Sequence, residues 1–321
     1  MQEEKEDLEM SLSGTPTIRE RVSYTKLSTF IQCPFKFQKL YEEKKRSKKS
    51  TLALDLGTLC HKGLEIVGEK LINGDVVLLD DILRATQEGY TDENIKGINE
   101  LQSVYFEDWI APDNKSGLSY PQKMENYKKA LIEMAADDDE WQVFATEHRF
   151  EFPITEDISL YGFIDRIDKR KSDGALRLID YKTSKKVFMD KDIKTPLQMV
   201  IYAMAIEREF GVRPIEYRYE FILIDKKQPV LSKGFVDRGI KKILRTLDEI
   251  LECRKENSFK PKPSPLCHWC DYCATNAQAD NQYKHECPYY SLWTPSNKTF
   301  EVNCKWEDDK RIEMAQNEFW F

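Results

Sequence analysis

The sequence of 321 residues has no apolar run near the roughly 18 residues that cross a bilayer as a helix. A membrane-spanning segment is therefore not expected. The first ten residues, MQEEKEDLEM, contain neither the basic stretch nor the apolar centre of a secretory leader. The chain is accordingly expected to be intracellular and cytoplasmic, with residues 1–20 a mobile acidic tail. Positive charge is not in surplus: 49 Lys and Arg face 56 Asp and Glu, a net charge of −7. That balance argues against coating nucleic acid by bulk charge, and leaves room for a local basic groove. No Gly-x-x-x-x-Gly-Lys-Ser/Thr loop is present, so any nucleotide-driven motor must come from a partner. Histidine is scarce, at four residues, so each one can be weighed by its context.

What is there centres on Ile158 to Ser184, ISLYGFIDRIDKRKSDGALRLIDYKTS. Two runs rich in β-branched and aromatic residues flank Lys171-Ser172-Asp173-Gly174, whose composition is that of a turn. The stretch reads as a β-hairpin. Side chains alternate faces along a strand, so Asp180 and Lys182 share a face in the second arm. Asp165 lies within cross-strand reach near the end of the first. Two carboxylates and an ammonium then converge at one sheet edge. Hard divalent cations take one or two carboxylates together with water and substrate phosphates, and a neighbouring lysine can orient a water and offset phosphate charge. The set suits hydrolysis of a phosphodiester. Acid-x-Lys alone means little in a chain that is 33% charged: Glu43–Lys45, Asp192–Lys194 and Asp225–Lys227 fit it too, and the last also ends a strand-like run. A hairpin with solvated end charges is the competing interpretation.

Around the hairpin the chain alternates helices and strands. Residues 24–43 read as two short helices broken at Cys33–Pro34, because proline is tolerated in a first helical turn. Residues 54–72 read as a helix whose apolar stripe is closely followed by His61. Residues 79–137 are expected to be a mainly helical insertion that caps the core. WQVFATEHRFEF (141–152) reads as a strand beside the hairpin, with Glu147 a structural or supporting acid. A helix over 196–210 places Gln198 and Tyr202 on one face, being four residues apart. Two further strands over 215–236, joined at Lys226–Gln228, and a helix from about Arg238 to Lys255 complete an α/β arrangement: a mixed central sheet flanked by helices. The basic run at 44–49 is expected to be a solvated loop, with phosphate contact as the other possibility.

FKPKPSP (259–265) is a stiff linker, and residues 267–287 hold four of the eight cysteines. Clustered cysteines in an intracellular protein indicate a metal or cluster site before they indicate disulfides. Taken locally, the ligands would bind zinc through Cys267, Cys270, Cys273 and Cys287, with His268 or His285 as substitutes. Cys60, Cys253 and Cys304 are expected to be ordinary thiols.

GFIDRID followed by LIDYKTSK resembles the PD-(D/E)XK nuclease superfamily, specifically its RecB-like branch. Four more segments match that branch in order: LSTFIQCPFKFQKLY (27–41), LGTLCHKGLE (56–65), LQMVIYAMAIE (197–207) and the C-terminal CHWC…CP. The resemblance implies a restriction-endonuclease-like core over 21–258 that includes the helical insertion 79–137. It also implies an iron–sulfur segment over 259–290, with 291–321 as an extension beyond it. It implies Asp165, Asp180 and Lys182 as catalytic residues. Mg²⁺ or Mn²⁺ would be held by His61, Asp165, Asp180 and the main-chain oxygen of Tyr181. Gln198 and Tyr202 would contact substrate. In place of zinc it implies a [4Fe–4S] cluster on Cys33, Cys267, Cys270 and Cys287, with Cys273 competing for the last position because Cys287 lies seventeen residues past Cys270. The activity implied is exonucleolytic cleavage of single-stranded DNA or DNA ends in recombination, repair or related DNA processing, alongside a helicase or recombination partner. A DNA-end-binding scaffold without catalysis is the alternative.

Overall fold

A computed structural model describes residues 20–46, 51–90, 94–106, 109, 115–273, 282–283, 286–287, 289–294 and 299–304. Of the expected tail at 1–20, residues 1–19 lie outside the described residues, as does the chain beyond 304, and Glu20 belongs to a strand. The chain forms two compact units, one of residues 1–24 and 50–240, the other of residues 25–49 and 241–321.

The first unit is built on a mixed six-stranded sheet. β1 (Glu20–Val22) is followed in the chain by a two-stranded ribbon, β2 (Gly89–Tyr90) and β3 (Ile95–Lys96), that stands apart from the main sheet. β4 (Trp141–Pro153) pairs antiparallel with β5 (Ile158–Arg170), and β5 antiparallel with β6 (Leu176–Lys182). Gly174, at φ 78°, supplies the left-handed backbone that the β5–β6 turn needs. The helix Leu197–Phe210 carries the chain to β7 (Glu216–Phe221), parallel to β6, and β8 (Lys226–Pro229) pairs antiparallel with β7. The mixed sheet with flanking helices expected from the sequence is the observed fold. β6 is buried along nearly its whole length, as suits a central strand.

One connection differs from expectation. The turn is Ile222–Asp225, and Lys226–Gln228 belongs to a strand. The segment expected as a second strand yields only Pro229 to β8, because Phe235 and Val236 already begin the helix Phe235–Lys255. The cause is tertiary. Ile222 and Leu223 are turn residues buried in the helical core, and Asp225 reverses the chain at φ 50°.

The helix Leu52–Asn73 positions the site. Thr51 caps it by accepting from Leu54 N, Gly74 ends it at φ 72°, and Leu56, Leu59, Cys60, Leu64 and Val67 form its buried stripe. Gly63 lets the neighbouring helix approach, since a Cβ there would fall 1.8 Å from Tyr127 Oη. The helices Leu79–Glu88, Ile98–Val104 and Tyr120–Ala135 make up most of the expected cap. Trp109, Tyr120 and Tyr127 are buried in the core cluster there, so they are packing residues and not a stacking surface for bases.

In the second unit Pro34 opens the short helix Pro34–Phe37 directly after Tyr24–Gln32, as the Cys33–Pro34 break predicts. Phe37 packs on Phe30, Tyr41 and Phe259. Lys45 pairs with Glu43 and Glu286, which gives this member of the basic run a structural partner. β9 (Tyr289–Thr294) and β10 (Thr299–Cys304) form an antiparallel hairpin.

Candidate functional site

The first unit opens at β5. One edge of this strand is taken by β4. On the other, β1 reaches only Leu160 and β6 begins pairing at Arg166. Asp165 sits in that fork, where its Oδ2 accepts a hydrogen bond from Tyr181 N at 2.6 Å. Tyr181 turns its own side chain the other way, to a buried position beside Arg166 and Met134.

Three ligand-type groups meet at the fork. His61 comes from the helix Leu52–Asn73, Glu147 from β4 and Asp165 from β5. His61 Nδ1 lies 3.7 Å from Asp165 Oδ1 and 4.0 Å from Glu147 Oε1. One ligand atom from each lies within 4.8 Å of the others, the only such group of His, Cys, Asp and Glu among the described residues. Glu147 has φ 43°, a left-handed backbone that is costly for a residue with a side chain and recurs where function holds strain. Glu147, expected to be a supporting acid, thus joins the ligand-type group. Burial and the neighbouring Asp180 push the Asp165 carboxyl up to about 7. Burial works against charge on His61, but Asp165, Glu147 and Asp180 outweigh it and raise the imidazole to about 9. Two carboxylates and an imidazole in a depression bordered by Gly57, Thr58 and Thr183 form a hard oxygen-and-nitrogen donor set. It fits Mg²⁺ or Mn²⁺.

Beside this group runs a closed polar ring. Lys182 Nζ donates to Gln198 Oε1 at 2.9 Å, and Gln198 Nε2 donates to Tyr202 Oη at 2.8 Å. Tyr202 Oη donates to Asp180 Oδ1 at 3.2 Å, and Asp180 Oδ2 lies 2.5 Å from Lys182 Nζ. Asp180 is 1% exposed. Burial opposes the Lys182 charge, yet Asp180 more than compensates, so the amine is held as an ammonium. The hydrogen bonds of Gln198 and Tyr202 go to Lys182 and Asp180. Tyr24 also borders these charges, and burial raises its phenol. No motif marks Tyr24 in the sequence. Two of the three competing acid–lysine pairs are structural: Asp225 pairs with Lys129 at 2.6 Å, Lys227 with Glu133 and Lys45 with Glu43.

In the second unit Cys33, Cys267, Cys270, Cys273 and Cys287 line one cavity. Three sulfurs accept main-chain N–H groups: Cys33 from Lys262, Cys267 from Ser264, and Cys270 from Tyr272. Burial outweighs these donors at Cys267 and Cys270, raising both thiols, Cys270 to about 11. Among the described residues Cys33, Cys60, Cys253, Cys267 and Cys270 form no disulfide. His285 and the side chains of His268 and Cys304 lie outside the described residues.

A family model described as the PD-(D/E)XK nuclease superfamily matches residues 21–276. An ATP-dependent helicase/deoxyribonuclease subunit of Clostridium botulinum (strain Loch Maree / Type A3) is 26% identical over 264 residues, covering 76% of this chain and 22% of the relative. A protein named in the same way from Streptococcus agalactiae serotype Ia is 28% identical over 181 residues, covering 55% of this chain and 15% of the relative. The chain thus spans about a fifth or less of the length of these relatives.

Proposed function

The chain belongs to the PD-(D/E)XK nuclease superfamily, and from that membership we propose that it is a metal-dependent deoxyribonuclease acting on single strands or DNA ends. The observation that carries this reading is the His61–Glu147–Asp165 group beside the Asp180–Lys182 ring. Asp165, Glu147 and His61 would hold Mg²⁺ or Mn²⁺, with Asp180 and the main-chain oxygen of Tyr181 completing the shell. The ion, when bound, lowers the pKa of a coordinated water and offsets charge on the scissile phosphate. Lys182, kept as an ammonium, faces developing negative charge on that phosphate. Gln198 and Tyr202 fix Lys182 and Asp180 against each other, so neither side chain reorganises during the reaction. The Tyr181 N–H aims one Asp165 oxygen and leaves the other toward His61.

The relatives are named as helicase and deoxyribonuclease subunits, and this chain carries no P-loop sequence. A helicase or recombination partner would supply unwinding. Four of the five cavity cysteines would bind a [4Fe–4S] cluster, Cys33, Cys267 and Cys270 with Cys287 or Cys273. Supporting this are the five cysteines that line one cavity and the three N–H···S contacts. Anaerobic purification followed by iron, sulfide and zinc analysis tests it: about four irons per chain are expected, and stoichiometric zinc would contradict it. Nuclease action is tested with end-labelled oligonucleotides in Mg²⁺, Mn²⁺ or chelator, with Asp180→Ala alongside. Metal-dependent products absent from the variant are expected. Equal inertness of both on single strands, duplex ends and RNA would leave a DNA-end-binding scaffold.

A further inference from the structure

A second depression adjoins the candidate metal pocket, and the two share Ala53 and Thr183 in their walls. Its lining brings together Lys115, Lys123, Lys185 and Lys186, from the helical insertion and from the loop that follows β6. No acidic residue is among the described residues that line it. In a chain with seven more acids than bases, four lysines around one hollow are a local concentration of positive charge. Lys123 is 2% exposed, and its ammonium lies 4.2 Å from the centroid of the Tyr120 ring. Placing a cation there costs desolvation that a surface lysine avoids. The hydroxyls of Thr183, Ser184 and Tyr120 add neutral donors around the same hollow.

The arrangement fits a phosphate. Ammonium groups are compact point charges that bind phosphate oxygens without demanding the planar geometry of a guanidinium. The pocket starts at Thr183, the residue directly after Lys182. A strand whose scissile phosphate lies at the metal group would therefore carry a neighbouring phosphate past it. We propose that this pocket binds a backbone phosphate of the strand being cut, one or more nucleotides from the scissile bond, and so sets the strand's position at the metal site. The proposal rests on the nuclease reading of the adjoining site and adds the residues that hold the substrate beyond it.

The test measures binding without turnover. A single-stranded oligothymidylate of 20 nucleotides is titrated in chelator over a range of salt, against wild type, Lys185→Gln/Lys186→Gln and Lys123→Met. The double variant changes only exposed loop residues, so it reads out even if Lys123→Met fails to fold. The slope of log affinity against log salt should become shallower by about 0.7 for each phosphate that the variant no longer neutralises. The loss should be equal for oligonucleotides with and without terminal phosphates. An unchanged slope and affinity in the double variant would overturn the proposal. So would an effect confined to oligonucleotides carrying a terminal phosphate, which would make the pocket an end sensor. Cleavage by wild type is scored separately. Binding that depends on the lysines in a protein that cuts nothing would retain this pocket and remove the nuclease reading.

Discussion

Asp165 and Tyr181 are joined across the open fork of the sheet by one hydrogen bond, from the main-chain N–H of Tyr181 to Asp165 Oδ2 at 2.6 Å. It ties the strand that supplies one acid to the strand that supplies Asp180 and Lys182, where the ladder between them has yet to begin. One Asp165 oxygen is fixed by the backbone and the other faces His61 and Glu147. Geometry of this kind holds ligands in place before an ion arrives.

Glu147 combines a left-handed backbone with a carboxylate beside another acid, so the metal-free fold is under strain there. Glu147→Gly should raise metal-free stability by about 1 kcal/mol, the relieved strain exceeding the added chain entropy. The same change should lower Mn²⁺ affinity. Thermal unfolding in chelator checks the first effect and Mn²⁺ titration the second. A less stable variant with normal Mn²⁺ affinity would contradict the assignment of Glu147 to the site.

Ion binding should release protons. In the metal-free pocket His61 is protonated below about 9 and Asp165 below about 7. Ligands must be deprotonated to coordinate, so affinity for Mn²⁺ should climb as pH rises toward 9 and fall more steeply below 7. Calorimetry at pH 8 in buffers of different ionisation enthalpy should report close to one proton displaced per ion. No proton release, or affinity that rises toward acid, would count against His61 as a ligand.

Much of this site was legible in the sequence, for identifiable reasons. Alternation and the Lys-Ser-Asp-Gly turn mark the β5–β6 hairpin, and period two puts Asp180 and Lys182 together. His61 and Gln198 needed the family resemblance, because a single polar residue on a helix has no local signature. Glu147 meets His61 and Asp165 at a residue with a left-handed backbone, which an alternating strand pattern conceals. The Ile222–Asp225 turn was missed because it is apolar. Its residues reverse direction while buried against helices distant in sequence, and turn composition does not record that.

Asp168 is fully buried, between Arg166 and Arg177, with Arg177 stacked on Trp141. Removing the carboxylate strands two buried guanidinium groups. Asp168→Ala should destabilise the fold by about 3–5 kcal/mol, read from the urea midpoint. A loss below 1 kcal/mol would show that the cluster is better hydrated than its burial indicates.

Tyr202 closes the ring that fixes Lys182 and Asp180. Tyr202→Phe should cost about 1 kcal/mol of stability and lower kcat more than it raises KM, because the ring positions charge and does not hold the strand. A change in KM alone would instead assign Tyr202 to substrate binding.

The central claim is that Asp165, with its neighbours, holds an ion that cleaves DNA. Single-stranded DNA labelled at either end should be incubated with wild type and Asp165→Asn in Mg²⁺, Mn²⁺ and chelator. The account predicts cleavage by wild type with either ion, none in chelator, and at least a hundredfold loss in the variant, on the scale of removing one strong electrostatic group (about 10²–10³). Cleavage that survives Asp165→Asn or chelator would contradict it.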